Sequence, residues 1–209
     1  MLEKYFDKIY CINLDKRTDR WDFFTKQCKK YSINSVERIS AIDGSLVEGD
    51  MYPSKFLKGE IGLLLTSIKI FEDAIEKGYE NILLVEDDCL LNDNFFKLDE
   101  YFNFLPDDWV MLYFGANHNT HGGWEEPKKI NDRVLKLSHS YSAHMIGFKK
   151  IIFDEILTNL KSFVDQNDVV YSKLQKKYTS YCFTPIIATQ LVGFSDIQNK
   201  EVDYNWLLK

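Results

Sequence analysis

The carboxylates Glu86, Asp87 and Asp88 are the side chains best suited to chemistry, because they directly follow the apolar run Ile82-Leu83-Leu84-Val85. Such a run predicts a strand buried on both faces, as in a parallel sheet covered by helices. Ligands bind outside the carboxyl ends of such strands, and adjacent acids there repel one another unless a cation stabilises them. We therefore interpret the three acids as part of a ligand site, with a solvated strand end as the alternative.

The spacing of the acids predicts a metal site. Side chains alternate along an extended chain, so Glu86 and Asp88 share one side and Asp87 points to the other. Carboxylate oxygens suit hard cations such as Mn²⁺ or Mg²⁺. Glu86 and Asp88 are predicted to hold one such ion, with diphosphate oxygens and water as its remaining ligands.

Two segments before the acids predict the elements that position them. Residues 8–14 are predicted to form a strand, followed by a polar turn and a helix that carries Trp21, Phe24, Cys28 and Tyr31 at helical spacing. Residues 36–42 predict a second strand, which stops at Asp43-Gly44. Both strands are expected to end near the three acids.

Residues 59–78 predict the longest helix, with Gly78 as its C-terminal cap and one apolar face formed by Ile61, Leu64, Leu65, Ile68, Phe71 and Ile75. The helix leads into the strand that ends at the acids, which is typical of a doubly wound α/β sheet. Further strands are predicted at 110–114, 134–137 and 144–148, helices at 149–161 and 168–176, and a strand or extended segment at 181–189. The loop at 115–126 is long enough to cover a site as a lid.

Composition limits the class of protein. A chain of 209 residues with 15% aromatic content suits one domain, residues 1–209, with a sizeable core. A net charge of −6 argues against a nucleic-acid partner. The four cysteines are far apart and are predicted to be free, which suits a reducing compartment. Without a secretory signal or a membrane-spanning segment, we expect a cytoplasmic protein with at most peripheral membrane contact.

Several short segments, in a fixed order, resemble one known family. They are Ile12-Asn13-Leu14-Asp15 with Arg17 and Arg20, Ala41-Ile42-Asp43-Gly44, Gly59-Glu60-Ile61-Gly62, Leu84 to Asp88, and a C-terminal Asp168…Pro185…Gln190 pattern. This order is similar to glycosyltransferase family 25, which includes bacterial lipooligosaccharide galactosyltransferases and collagen galactosyltransferases. The resemblance implies a GT-A type fold, with a Rossmann-like, mostly parallel central sheet flanked by helices. It also implies a UDP-sugar donor, a divalent metal, and transfer with inversion at the anomeric carbon.

The resemblance suggests roles for the donor side of the site. A cation held by Glu86 and Asp88 would offset the charge that develops on the leaving diphosphate. Asp87 is expected to contact ribose or the donor sugar. Arg17 and Arg20 are expected to clamp phosphate or to orient an acid, with a solvated helix start as the alternative.

Two further polar residues end candidate strands, Asn13 and Asp43. They are candidates for hydrogen bonds to the nucleotide base or ribose, and capping of turns by their side chains is the alternative.

Inversion by direct displacement requires a general base opposite the leaving group. Asp168 is the first candidate and Asp165 the second, with Glu60 as a third and a helix N-cap as the alternative role of Asp168. The aromatic candidates for the acceptor are Tyr113, Trp124 and Tyr141, with core packing as the alternative.

The four histidines receive different predictions. His139 and His144 are candidates for an extra metal ligand or phosphate contact, with a structural role as the alternative. His118 and His121 are interpreted as polar loop residues.

The favoured function is a metal-dependent, inverting transfer of a hexose, galactose or glucose, from a UDP-sugar to a glycan, a lipid-linked glycan or a protein-linked acceptor. One alternative is a sugar nucleotidyltransferase, which normally adds a glycine-rich loop after its first strand. Residues 13–20 contain no glycine, which counts against that alternative. The other alternative is a non-catalytic binding or scaffold protein with the same fold.

Overall fold

The computed structural model describes residues 2–48, 52–118 and 125–204. Its α-helices are α1 (Thr18–Lys30), α2 (Lys58–Lys77), α3 (Leu98–Phe104), α4 (Phe153–Lys161) and α5 (Asn167–Leu174). Its strands are β1 (Lys8–Asn13), β2 (Val36–Ser40), β3 (Asn81–Glu86), β4 (Cys89–Leu91), β5 (Met111–Tyr113), β6 (Lys128–Asn131), β7 (Val134–Lys136), β8 (Met145–Lys149), β9 (Ser180–Phe183), β10 (Ala188–Gln190), β11 (Gly193–Ser195) and β12 (Lys200–Val202).

The central sheet has eight strands in the order β2-β1-β3-β8-β5-β9-β7-β6. Strands β7 and β8 pair antiparallel with their neighbours, so the other six strands run in a common direction. The predicted α/β class with a mostly parallel sheet is confirmed. Two small antiparallel sheets, β4–β10 and β11–β12, lie outside it.

Helices cover both faces of the sheet because alternate residues of its strands point to opposite sides. In β3, Ile82 and Leu84 pack in one cluster with buried residues of α2, α4 and α5. Leu83 and Val85 pack in a second cluster with buried residues of α1 and α3. Burial on both faces explains why this strand is an uninterrupted apolar run.

The predicted long helix is confirmed as α2. The Glu60 side chain accepts a hydrogen bond from the Leu57 backbone N–H at 2.8 Å, which satisfies one free donor at the helix start. Gly78 ends the helix with a φ of 70°, a conformation that glycine adopts without a Cβ penalty. None of the described helices is long and apolar enough to cross a membrane.

The sequence-based expectations differ from the structure mainly in the C-terminal half. The segment 181–189 forms two strands, β9 and β10, which belong to different sheets. The sequence did not predict β4, α3, β6 or the hairpin β11–β12. All four cysteines are free thiols, as expected, and Cys28 is the most exposed of them.

Candidate active site

The carboxyl ends of β2, β1 and β3 lie side by side, because these strands are parallel neighbours. At this edge the chain encloses an open cavity of about 690 Å³. The candidates from the sequence that line it are Arg17, Arg20, Asp43, Glu60, Glu86, Asp87, Asp88, Tyr141 and Asp168. Strand order therefore brings together most of the side chains selected from the sequence.

Asp87 is held from two directions at the end of β3. Its Oδ2 accepts a hydrogen bond from Asn13 Nδ2 at 2.6 Å, and its Oδ1 lies 3.1 Å from Arg20 Nη1. Burial raises the pKa of Asp87, and the contacts with Asn13 and Arg20 oppose that rise. The Asn13 side chain is fully buried and does not line the cavity, and it supports Asp87. Its predicted contact with the nucleotide stays a prediction.

Glu86 and Asp88 both line the cavity, but so does Asp87, which the alternation of an extended chain placed on the other side. The reason is that β3 ends at Glu86, and Asp87 and Asp88 lie in a turn. Glu86 Oε2 accepts a long hydrogen bond, 3.4 Å, from Gln190 Nε2. Asp88 Oδ2 lies 3.2 Å from Arg20 Nη1, but its Oδ1 is buried with no hydrogen-bond partner among the described residues. A buried carboxylate oxygen without a donor or cation is strongly disfavoured.

Burial and mutual repulsion shift the pKa values of these two acids. Burial, together with the charges of Asp88, Asp87 and Asp168, raises the pKa of Glu86 well above its usual range. Burial raises the pKa of Asp88 to about 6, although the charge of Arg20 acts in the opposite direction. At neutral pH the pair would therefore be stabilised by an added cation.

The donor set fits a hard cation only if a ligand completes it. In the described ranges, no group of three or more His, Cys, Asp or Glu side chains is arranged to hold a metal ion by itself. Two carboxylates, one with a free oxygen, leave several coordination positions for phosphate oxygens and water. The two-carboxylate metal site expected from the sequence stays a prediction.

Asp168 lies on the same side of the cavity as Glu86 and is the second residue of α5. The N-cap is Gln166, so Asp168 does not cap the helix, although its Oδ1 accepts a hydrogen bond from the Val169 N–H at 2.8 Å. Burial raises the pKa of Asp168. Asp165 instead pairs with Lys173 at 2.6 Å and does not line the cavity. We call Glu86, Asp88 and Asp168 the acidic side.

Lys16, Arg17 and Arg20, from the turn after β1 and the start of α1, line the same cavity, and we call them the cationic side. Arg20 lies against the acidic side, where it contacts Asp88. Lys16 Nζ lies 2.8 Å from Asp43 Oδ2. Arg17 pairs with Asp196 and also with the exposed Asp19. Each of these cations therefore already has a carboxylate partner within the chain.

Asp43 caps a turn, which was the alternative role considered for it, and it also lines the cavity. Its Oδ1 accepts a hydrogen bond from the Ser45 N–H at 3.0 Å and so caps the short 3₁₀ turn Gly44–Leu46. The hydrogen bond from Lys16, followed by that from Ser45, lowers the pKa of Asp43 to about 2. Asp43 is therefore a carboxylate that caps a turn and also faces the cavity.

Two of the glycine-containing motifs meet at the cavity rim. A Cβ on Gly44 would lie 1.6 Å from the Lys58 carbonyl oxygen, and a Cβ on Gly62 would lie 2.3 Å from the Ile42 carbonyl oxygen. Any side chain at either position would collide with backbone. The motifs 41–44 and 59–62 are therefore in direct backbone contact, because α2 and the segment after β2 touch through their glycines.

The C-terminal segment covers the cavity, and the sequence did not predict this. Arg20 Nη2 donates to the Phe194 carbonyl oxygen at 2.6 Å, and Asp196 pairs with Arg17. A Cβ on Gly59 would lie 2.4 Å from the Ile197 Cα, so this segment packs directly on the start of α2. We call residues 193–202, the hairpin β11–β12 with its turn, the C-terminal cover.

Two of the remaining candidates have structural roles. His144 hydrogen-bonds to Ser142 and, at 3.2 Å, to the Ala188 carbonyl oxygen, while burial lowers its pKa to about 4. The Tyr113 hydroxyl is buried and accepts a hydrogen bond from Gln175 Nε2 at 2.9 Å. Both are therefore parts of the core around the site.

The other candidates differ in their positions. His139 Nε2 is 2.6 Å from the Tyr141 hydroxyl, and Tyr141 lines the cavity. His118 pairs with Ser140 at 2.8 Å. Trp124 and His121, with the centre of the predicted lid, lie outside the described residues.

Comparisons with known proteins point to one family. The family model described as Glycosyltransferase family 25 (LPS biosynthesis protein) matches residues 6–206. The chain is 28% identical over 164 residues to Procollagen galactosyltransferase 2 of Mus musculus, a match that covers 68% of this chain and 26% of that protein. It is 26% identical over 130 residues to Inactive glycosyltransferase 25 family member 3 of Homo sapiens, covering 53% of this chain and 22% of that protein. The chain spans about a quarter of the length of these curated relatives.

A solved structure shows the fold. The chain superimposes on a glycosyltransferase involved in the glycosylation of the major capsid of PBCV-1 with a TM-score of 0.52 and 10% sequence identity. The match covers 92% of this chain and 95% of that one. The expected GT-A type fold is confirmed.

Proposed function

The chain belongs to glycosyltransferase family 25, and on that premise we propose that it transfers a hexose, galactose or glucose, from a UDP-sugar to an acceptor hydroxyl with a divalent ion. The observation that carries this proposal is the pair of carboxylates Glu86 and Asp88, with Asp88 Oδ1 lacking a partner among the described residues, in a cavity that is also lined by Lys16, Arg17 and Arg20. A nucleoside diphosphate with its metal ion supplies both complementary charges. Mn²⁺ is the proposed ion, with Mg²⁺ as its nearest substitute.

Glu86 and Asp88 would hold the ion, whose chemistry there would be to offset the negative charge that develops on the leaving diphosphate. Arg20 touches both Asp87 and Asp88, at 3.1 and 3.2 Å. It fixes the two carboxylates relative to each other and presents a positive charge beside them. Lys16 and Arg17 supply further positive charge for the diphosphate.

Asp168 is the proposed general base. In a direct displacement, the acceptor oxygen forms a bond to the anomeric carbon while the bond from that carbon to the diphosphate breaks, and the hydroxyl proton passes to the base. Asp168 lines the cavity, and burial raises its pKa, which makes its carboxylate a better proton acceptor. The acceptor is proposed to be a glycan, a lipid-linked glycan or a protein-linked sugar.

Calorimetry and product release test the proposal. UDP titrated with and without Mn²⁺ should bind measurably only with the ion, and one member of a UDP-hexose panel should release UDP when an acceptor is present. Binding without turnover for every UDP-sugar and acceptor would instead support a non-catalytic protein. That outcome has a precedent in the inactive human relative.

The base assignment has its own test. Asp168→Asn should lower kcat by roughly 10²–10⁴, the usual contribution of a positioned general base, while UDP affinity stays unchanged. Asp165→Asn should retain most of the activity, because Asp165 pairs with Lys173 away from the cavity. Equal activity in the two variants would remove Asp168 from this role.

A further inference from the structure

The buried side chain of Asn13 makes three hydrogen bonds, which join the end of β1 to β2, to the turn before α1 and to the turn after β3. Its Nδ2 donates to Asp87 Oδ2 at 2.6 Å and to the Arg17 carbonyl oxygen at 3.0 Å. Its Oδ1 accepts from Arg38 Nε at 2.8 Å. The residue is fully buried, so water cannot replace a lost partner.

Arg38 lies on β2, and its guanidinium is held by Asp15 and Trp21. Its Nη2 donates to Asp15 Oδ1 at 2.7 Å, and the Ser40 hydroxyl donates to Asp15 Oδ2 at 2.8 Å. The guanidinium carbon lies 5.6 Å from the centre of the Trp21 ring, within the range of a cation–π contact. Arg38 does not line the cavity.

The contact from Arg38 reinforces the direction in which the contacts with Asp87 and Arg17 hold the Asn13 amide. A guanidinium only donates, so the amide must turn its oxygen toward Arg38 and its NH₂ group toward Asp87. A flipped amide would place two donors against each other at Arg38. It would also place two acceptors against each other at Asp87 and at the Arg17 carbonyl, so all three contacts would be lost together.

The orientation of the Asn13 amide determines which oxygen of Asp87 faces the site. With Oδ2 held by Asn13, Asp87 presents Oδ1 to Arg20, and Arg20 in turn reaches Asp88 Oδ2 at 3.2 Å. A continuous line of hydrogen bonds therefore leads from the outer edge of the sheet to the proposed donor site.

We propose that Arg38 is a positioning residue, which locks the Asn13 amide so that Asp87 and Arg20 are held in the geometry that receives the donor diphosphate. This inference rests on the proposed function for its functional consequence. It assigns a role in donor binding to a residue that touches neither the cavity nor the donor.

The chain offers a matched control in Arg133. Arg133 Nε donates to Glu100 Oε1 at 2.8 Å, and the guanidinium lies 5.3 Å from the centre of the Tyr101 ring. The side chains of Arg133 and Arg38 are 27% and 32% exposed, so the two arginines have similar surroundings. Arg133 makes no contact with Asn13 or the acids and does not line the cavity.

The experiment compares Arg38→Gln with Arg133→Gln by calorimetry with UDP and Mn²⁺ and by steady-state kinetics. Arg38→Gln should weaken UDP binding and raise KM for the UDP-sugar by about tenfold, the effect of losing roughly one charge-assisted hydrogen bond. Arg133→Gln should change both by less than about twofold. Arg38→Lys, which keeps the charge but has no planar fork, should fall between wild type and Arg38→Gln.

A ligand-free measurement separates this inference from the proposed function. In ¹⁵N-labelled protein, the Asn13 side-chain NH₂ signals should move and exchange faster in Arg38→Gln but not in Arg133→Gln. If those signals respond and wild type binds no UDP, the proposed function fails and the amide lock stands. If UDP binds equally well to wild type and Arg38→Gln, or equally poorly to both glutamine variants, the positioning role of Arg38 is wrong.

Discussion

The two sides of the cavity are built from charges of opposite sign, and they differ in how those charges are balanced. On the cationic side, Lys16 pairs with Asp43, and Arg17 pairs with Asp19 and Asp196. On the acidic side, Asp88 keeps a buried oxygen without a hydrogen-bond partner among the described residues. The cationic side is therefore paired within the chain, whereas on the acidic side Arg20 reaches only one of the two oxygens of Asp88.

This difference indicates that a ligand meets the two sides in different ways. An anion that approaches the cationic side must compete with carboxylates already in place. A cation that approaches the acidic side relieves repulsion that the folded chain cannot relieve itself. A nucleoside diphosphate and a divalent ion should therefore bind cooperatively, because each makes the other's side more favourable.

The largest expected effect comes from removing a carboxylate of the acidic side. Asp88→Ala should lower kcat/KM for the UDP-sugar by roughly 10³, because stabilisation of charge on a leaving group is usually among the largest contributions to catalysis. Mn²⁺ should no longer strengthen UDP binding in calorimetry. Asp132→Ala, which removes an exposed partner of Lys129, serves as the control and should behave as wild type. Full activity in Asp88→Ala would show that the two sides do not differ in function.

The same imbalance should appear in the stability of the metal-free protein. Because burial raises the pKa of Asp88 to about 6, the folded state binds more protons than the unfolded state between about pH 4 and 6. The free energy of unfolding should therefore fall as the pH rises through that window, and stay lower above it. Asp88→Asn should be more stable than wild type by about 2 kcal/mol at pH 7.5, and no more stable at pH 4.

Denaturation in the presence of a chelator measures this difference. Adding Mn²⁺ with UDP should stabilise wild type at pH 7.5 and leave Asp88→Asn nearly unchanged. A wild type that is the more stable protein at pH 7.5 without metal would mean that Asp88 is already compensated. The contrast between the two sides would then be lost.

The elements that carry the acids and Arg20 could be predicted, because the sequence patterns that indicate them are local. An uninterrupted apolar run predicted β3, helical spacing predicted α1 and α2, and the acids directly after β3 indicated the cavity edge. Parallel strand order then places Arg20 and Asp87 together without any knowledge of side-chain contacts.

The direction in which the Asn13 side chain points could not be predicted from the sequence in the same way. A polar residue that ends a strand faces either the cavity or the layer beneath it, and neighbours distant in sequence decide which. Arg38 and Asp87 lie 25 and 74 residues from Asn13. No local pattern carries that information.

The C-terminal cover was missed for a related reason. Strands β11 and β12 have three residues each, too few to show a period, and Phe194 is partly exposed. Asp196 is positioned by Arg17, which lies 179 residues away. An aspartate after a short strand resembles an ordinary turn residue until the fold brings it to the cationic side.

The smallest expected effect tests competition on the cationic side. The Asp196 side chain is only 16% exposed, lies 3.8 Å from Lys16 Nζ and pairs with Arg17. A diphosphate that reaches these cations must displace this carboxylate. Asp196→Asn removes the negative charge and should tighten the binding of inorganic pyrophosphate by about threefold to tenfold, a change of roughly 1 kcal/mol.

Asp19→Asn is the matched control, because Asp19 pairs with the same arginine but is 66% exposed and lies outside the cavity. Exposed ion pairs contribute little, so this variant should change pyrophosphate binding by less than about twofold. Weaker binding in Asp196→Asn would mean that Asp196 orients Arg17 and the C-terminal cover for the ligand. The cationic side would then be prepared for an anion in advance, and the two sides would differ in sign alone.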